Sequence, residues 1–128
     1  SINPAIRSRT QIFELKPLSS QDIQKALVKA IDTNKGEEIV TLVLKDKCSF
    51  ADYMIVASGR SSRHVSALAH YVVDELKKLG QMPLSVEGKE TGDWVLIDAG
   101  DIIVHVFRPE VRQFYNIEKM WAIPALTM

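Results

Sequence analysis

A strand followed by a long helix is encoded in residues 53–80, YMIVASGRSSRHVSALAHYVVDELKKLG. The β-branched run at residues 53–57 is typical of a buried strand. Apolar side chains recur at steps of three and four from residue 62 to residue 79, which predicts an amphipathic helix. The lysines at positions 77–78 suit the negative end of the helix dipole, and Gly80 supplies a C′ residue that tolerates left-handed backbone.

One helix and one strand are predicted on the N-terminal side of this unit. Residues 20–33 place their apolar side chains on one helical stripe, with Ser19 or Ser20 as the N-cap and residues 34–36 as the end. Residues 39–44, IVTLVL, form a second β-branched run, and a polar turn separates it from the first. The two runs are expected to be neighbouring strands.

A short strand near residues 84–86 would complete a βαβ unit with parallel strands, so the sheet should be mixed. A hairpin is predicted next, because residues 94–98 and 101–107 flank the turn Ala99-Gly100. Its expected register contains three cross-strand pairs: Asp98 with Asp101, Leu96 with Ile103, and Trp94 with His105. One face of the hairpin is aliphatic and is expected to pack on a helix: Val95, Ile97, Ile102, Val104 and Val106.

A final helical segment is predicted from Pro109, which can occupy a first helical position, toward Trp121, with Pro124 ending it. The predicted architecture is α+β, a two-layer domain with a mixed sheet of about five strands and the element order α-β-β-α-β-β-β-α. Residues 19–123 are expected to form a single domain. Residues 1–18 and 124–128 are expected to be tails.

The composition indicates one soluble domain with a single core, since 46% of the 128 residues are hydrophobic and 25% are charged. Sixteen basic residues balance sixteen acidic ones, so no overall field favours nucleic acid. A protein surface is therefore the expected contact. Cys48 has no cysteine partner for an internal disulfide, which fits a reducing compartment. No apolar run approaches the roughly 20 residues of a membrane span.

Residues 59–64, GRSSRH, lie between the predicted strand and helix, where exposed N–H groups could hold an anion. Arg60, Ser61 and Arg63 are the candidate anion-binding residues. The simpler interpretation is a glycine turn followed by a serine cap. We favour it, because the run matches neither the dinucleotide fingerprint nor the Walker A motif.

No catalytic residue, metal site or cofactor is predicted. Asp98 and Asp101 flank the hairpin tip, with Asp93 and Glu87 upstream, and paired carboxylates can bind Mg²⁺. Aspartates beside glycine more often stabilise turns, and no third ligand has a fixed spacing to either one. His105 lies in an apolar strand and is interpreted as structural, because the nucleophile motif Gly-x-Ser-x-Gly is absent.

The last helical segment carries a group of large side chains that includes Tyr115. Helical spacing places Tyr115, Glu118 and Trp121 near one side of the helix. Ile117 and Met120 lie on a neighbouring side. Their simpler interpretation is core packing for Ile117, Met120 and Trp121. Trp94 and Tyr115, however, are of the residue types that dominate interface hot spots. If the last helix packs beside the hairpin, these two form one aromatic patch.

Several ordered motifs resemble those of the ribosomal silencing factor, or Iojap-like, family: 52–59 (DYMIVASG), 61–65 (SSRHV), 86–88 (VEG), 93–101 (DWVLIDAGD), 104–106 (VHV) and 114–121 (FYNIEKMW). The resemblance covers about residues 20–122. It implies an Iojap-like domain with a nucleotidyltransferase-like fold and without known transferase activity.

The resemblance also implies a partner, the large-subunit ribosomal protein numbered fourteen, bound at the face that meets the small subunit. Subunits then cannot join, and translation falls when nutrients are scarce. Trp94 and Tyr115 become the principal contacts, with Ile117, Glu118 and Met120 beside them, although Ile117 and Met120 stand where leucine is usual. A homodimer is a further expectation, because family members often self-associate. The expected location is a bacterial cytoplasm, with an organelle as the alternative.

Two classes of function therefore stand against each other. One is a binding module that acts through its aromatic patch. The other is a metal-dependent nucleotidyltransferase or nucleotide-binding protein that uses Arg60, Ser61, Asp98 and Asp101. Titration with Mg²⁺ and nucleoside triphosphates separates them, because the binding module predicts no heat.

Overall fold

The computed structural model describes residues 18–45 and 51–111. Within them the elements follow the predicted order: α1 (Ser20–Thr33), β1 (Glu37–Val43), β2 (Tyr53–Ser58), α2 (Ser62–Lys78), β3 (Ser85–Glu87), β4 (Trp94–Asp98) and β5 (Ile102–Phe107). Residues 109–111 are again helical, so a further helix begins at Pro109, as predicted. Its continuation toward Trp121 lies outside the described residues. Neither α1 nor α2 is long and apolar enough to cross a membrane.

The five strands form one sheet in the order β1-β2-β5-β4-β3. β2 and β5 are parallel, whereas the other three neighbouring pairs are antiparallel. The α+β class and the mixed sheet are therefore confirmed. β2 and β3 run in the same direction, but β5 and β4 lie between them, so α2 connects strands that are not neighbours. The nucleotidyltransferase-like detail stays a prediction.

The bounds of α1 are those expected from its sequence, because a capping box defines its start. The Ser19 side chain accepts a hydrogen bond from the Asp22 N–H at 3.1 Å, and Asp22 Oδ2 accepts one from the Ser19 N–H at 3.4 Å. Both interactions satisfy N–H groups that the helix itself leaves without partners. The C-terminal end of α2 also agrees with its prediction. Gly80, which follows this end, has a φ of 77°, the left-handed conformation predicted there.

Replacing Ser19 by alanine is expected to lower the free energy of unfolding by about 1 kcal/mol, because the Asp22 N–H loses its acceptor. Urea denaturation followed by circular dichroism measures this loss. Gln21→Ala in the same exposed turn is the control, and it should stay within about 0.5 kcal/mol of the wild type. Equal stability of the two variants would contradict a role for the cap.

The main core lies between the sheet and the two helices. The aliphatic face predicted for the hairpin is buried there, at Val95, Ile97, Ile102, Val104 and Val106. α1 contributes Ile23, Leu27 and Ile31, and α2 contributes Val65, Leu68, Ala69, Val72 and Leu76. The helices thus occupy one face of the sheet, and the periodicity that predicted them is the pattern of their buried side chains.

The opposite face of the sheet carries a second buried cluster: Leu42, Leu44, Ala51, Met54, Val56 and Phe107. All six residues of β2 are consequently buried, because this strand contributes to both clusters. Trp94, Ile103 and Val111 pack against the second cluster while remaining partly accessible. Val111 belongs to the helical residues that follow Pro109, so this chain segment reaches the face on which Trp94 lies.

The predicted register of the hairpin is wrong. In the structure Asp98 pairs with Ile103, Leu96 with His105, and Trp94 with Phe107. The turn residues are Gly100 and Asp101, closed by a 2.9 Å hydrogen bond from the Ala99 N–H to the Ile102 carbonyl. Two-residue hairpin turns require a positive φ at the first central residue. Gly100 adopts 89° there, whereas the predicted turn would have imposed that conformation on Ala99. Because the register moved by two residues, each side chain keeps its predicted face.

Candidate functional site

An aromatic cluster formed by Trp94, His105 and Phe107 lies on the face of the sheet opposite the helices. Trp94 and Phe107 are cross-strand partners, and their rings meet edge to face with centroids 5.0 Å apart. The Trp94 and His105 centroids are 6.0 Å apart, and those of His105 and Phe107 are 5.7 Å apart. Phe107 is fully buried, whereas Trp94 is half-buried, so Trp94 is the member that a partner could touch.

Trp94 is held in place by a hydrogen bond within the cluster. Its Nε1–H donates to His105 Nδ1 at 3.0 Å. Burial lowers the pKa of His105 from 6.5 to about 4, so the ring is neutral near pH 7. Since Nδ1 accepts, the ring proton is on Nε2. The only polar donor of the Trp94 side chain, Nε1–H, is therefore satisfied inside the protein.

A hollow of about 280 Å³ adjoins Trp94, at the sheet edge formed by β3, and is lined by Glu87, Gly88, Trp94 and Leu96. Glu87 and Leu96 are cross-strand partners, so their side chains share a face with Trp94. Gly88 has a φ of 85°, and a Cβ added to it would overlap the Trp94 carbonyl oxygen. Only glycine therefore allows the chain to leave β3 this close to β4.

Of the partner-binding residues expected from the sequence, the structure describes Trp94 alone. Tyr115, Ile117, Glu118 and Met120 lie outside the described residues, and their role stays a prediction. The sequence had assigned no binding role to the hollow beside Trp94. Residues 86–88 enter the sequence prediction only through the family resemblance, although a glycine after a strand can indicate a close backbone approach.

The segment that follows β2 is a helix cap. Ser61 is the N-cap of α2 and accepts a 3.1 Å hydrogen bond from the His64 N–H, which confirms the simpler interpretation of this segment. The Arg60 N–H donates to His64 Nδ1 at 2.9 Å, and His64 Nε2 bonds the Asn34 carbonyl at 3.0 Å. Arg60 and Arg63 are exposed, and anion binding by them stays a prediction.

The carboxylates near the hairpin make structural contacts. Asp98 Oδ1 accepts a 2.9 Å hydrogen bond from the Gly100 N–H, the turn role favoured on sequence grounds. Asp93 Oδ1 lies 2.9 Å from Arg108 Nε. In residues 18–45 and 51–111, no three histidine, cysteine, aspartate or glutamate side chains are grouped so that they could hold a metal ion.

A larger groove of about 600 Å³ lies between α1 and α2, away from the aromatic cluster. Lys29 and Lys78 line it, but Asp74 and Glu75 do so as well. These opposite charges offset each other, so the groove has no charge preference that would select a ligand. The aromatic cluster is the feature with a defined geometry for contact.

The fold and this cluster define a two-layer α+β domain with helices on one sheet face and an accessible tryptophan on the other. Residues 17–126 match the family model described as ribosomal silencing factor during starvation. The chain belongs to this family.

Similar proteins cover most of the chain. A ribosomal silencing factor of Zymomonas mobilis is 50% identical over 97 residues, which are 76% of this chain and 73% of the relative. A crystal structure of a Chromobacterium violaceum protein has a TM-score of 0.79 and 41% identity, covering 87% of this chain and 94% of that one. A mouse protein named mitochondrial assembly of ribosomal large subunit protein 1 is 31% identical over 100 residues, 76% of this chain and 44% of the relative.

Proposed function

We propose that this protein binds the large ribosomal subunit through the ribosomal protein numbered fourteen, blocks joining of the small subunit sterically, and represses translation when nutrients are limited. The observation that carries the proposal is the aromatic cluster, in which a half-buried Trp94 is held by His105 on a sheet face free of α1 and α2. Membership of the family and the name of the mouse relative support a ribosomal partner.

The mechanism requires occupancy and no chemical step. A standard protein interface buries on the order of 1,600 Å² in total, enough to exclude a second surface from the same place. A tryptophan whose orientation is already fixed loses little conformational freedom on binding, which favours affinity. We propose the cytoplasm of a bacterium as the site of action, with an organelle as the alternative.

Gradient sedimentation with separated ribosomal subunits tests the proposal. The protein is expected to travel with the large subunit and not with the small one. At saturating protein, the mixture of both subunits should yield fewer joined ribosomes. Normal subunit joining at saturation, or failure to travel with the large subunit, would overturn it.

Trp94→Ala is expected to weaken binding to the large subunit by about 2 kcal/mol or more, roughly a thirtyfold rise in Kd, if Trp94 is a hot spot. The variant also uncovers Phe107 and removes the donor to His105. It should therefore lose stability as well, and binding must be measured where circular dichroism shows it folded.

Tyr71→Ala is the matched control, because Tyr71 is an aromatic residue of α2, 43% exposed, and α2 lies on the opposite face of the sheet. Its affinity for the large subunit should equal that of the wild type. If folded Trp94→Ala and Tyr71→Ala sediment alike with the large subunit, the aromatic cluster is not the contact.

The enzyme alternative has no specific observation in its favour. Ser61 is engaged as a helix cap and Asp98 as a turn acceptor, two of the four residues it required. Calorimetric titration with Mg²⁺ and nucleoside triphosphates is expected to give no heat of binding. Homodimerisation, the other expectation, is tested by light scattering of the wild type and Trp94→Ala.

A further inference from the structure

The hollow at the β3 edge has a chemistry distinct from the aromatic cluster that it adjoins. Trp94 and Leu96 give it apolar walls, and Glu87 places an exposed carboxylate beside them. Within the described part of the chain, no ion pair involves Glu87. A carboxylate is thus available at an otherwise apolar hollow.

The state of Trp94 narrows what this hollow can recognise. Because the Trp94 Nε1–H already donates to His105, the indole cannot donate a hydrogen bond to a ligand. Trp94 lines the hollow with its indole, an aromatic ring of the type that attracts cations. The remaining polar group is the Glu87 carboxylate, which accepts hydrogen bonds and carries negative charge.

We propose that this hollow receives a lysine or arginine side chain of the partner protein. This inference rests on the proposed function and names the chemistry of its contact. The aliphatic part of such a side chain packs on Leu96 and the Trp94 ring, while its charged end reaches Glu87. A purely apolar side chain would remove water from the Glu87 carboxylate without replacing its interactions, and an acidic one would be repelled.

The volume and position of the hollow agree with a single side chain. About 280 Å³ is enough room for one long side chain. The hollow opens beside the half-buried Trp94, so a partner that covers Trp94 also covers the hollow. The two features therefore form one continuous contact surface.

The experiment compares Glu87→Gln with Glu90→Gln in binding to purified large ribosomal subunits. Glutamine keeps the size of the side chain and removes its charge. Glu90 is exposed in the same connection but does not line the hollow. Glu87→Gln is expected to bind about threefold to tenfold more weakly than the wild type, and Glu90→Gln like the wild type. Glu87→Lys should bind more weakly still.

Salt gives a second readout, because added ions screen an exposed ion pair. The difference in affinity between the wild type and Glu87→Gln should shrink as the KCl concentration rises. Wild-type affinity of Glu87→Gln or Glu87→Lys would overturn this inference while leaving the proposed function standing. Failure of the wild type itself to bind the large subunit would overturn the proposed function and the inference together.

Discussion

Gly88→Ala is expected to lower the free energy of unfolding by about 3 kcal/mol or more, because two costs add at this position. The backbone of Gly88 has a φ of 85°, which L-residues with a Cβ rarely adopt. The added Cβ would also overlap the carbonyl oxygen of Trp94, a backbone atom that cannot turn aside. Either β3 must leave β4, or the start of β4 must move.

Gly100→Ala separates the two costs. Gly100 has nearly the same φ, 89°, but nothing lies within 4 Å of an added Cβ. The free energy of unfolding of this variant should therefore fall by only about 1 to 2 kcal/mol, the cost of placing a residue with a Cβ in a left-handed conformation. Urea denaturation at pH 7 measures both variants. Equal losses would show that the close approach of Gly88 to Trp94 has no energetic consequence.

The same pair of variants links stability to function. Displacement of the Trp94 backbone should move the indole away from His105, so Gly88→Ala should bind the large subunit more weakly than Gly100→Ala under conditions where both are folded. The hairpin tip at Gly100 lies at the opposite end of β4 from Trp94. Equal binding by the two variants would argue against a contact surface at the start of β4.

Acid is expected to remove about 3 kcal/mol of stability through His105 alone. Burial lowers the pKa of His105 in the folded protein to about 4, whereas an unfolded chain has the ordinary value of 6.5. The unfolded state therefore binds the proton more readily. The contribution of neutral His105 to the free energy of unfolding is complete above pH 6.5. It is lost as the pH falls from 6.5 to about 4.

The measurement is the free energy of unfolding at several pH values between 7.5 and 4, for the wild type and His105→Gln. Other groups titrate in this range, so the decisive quantity is the difference between the two curves. Glutamine does not ionise, and its amide oxygen can accept the Trp94 Nε1–H. Between pH 7.5 and 4, the free energy of unfolding of the wild type should fall by about 3 kcal/mol more than that of His105→Gln. Parallel curves would show that His105 does not titrate as its burial implies.

Protonation of His105 has a local consequence as well. A protonated imidazole carries a proton on both nitrogens, so Nδ1 can no longer accept from Trp94. In the folded protein the hydrogen bond that orients the indole is therefore lost only at about pH 4 and below, where the buried His105 becomes protonated. The loss of stability begins at higher pH, because the unfolded chain binds the proton first.

The helices were predictable because their determinants are local. The start of α1 depends on Ser19 and Asp22, three residues apart, and its buried stripe follows from helical spacing. The same holds for α2, where Ser61 caps the start and Gly80 follows the end. Interactions over three or four residues suffice for both, and their bounds agree with the sequence patterns.

The hairpin shows where local reasoning failed. The alternation of side chains correctly assigned the faces, since a pleated strand turns every second side chain the same way. The register depended on which residue takes a positive φ, and Gly100 rather than Ala99 does so. The tolerance of glycine for a positive φ favours Gly100 at the first turn position. The predicted pairing of Asp98 with Asp101 instead put Ala99 there.

By itself, the sequence determined the class of the fold, the two helices, the strands and the faces of the hairpin, because periodicity and capping act between near neighbours. Only the tertiary structure decided the strand order, the bond from Trp94 to His105 and the hollow beside Glu87. These features join residues on different strands, and their geometry follows from how the chain packs as a whole. The orientation of Trp94 is therefore a property of the assembled sheet, since β5 must lie beside β4 before His105 can accept the hydrogen bond from Trp94.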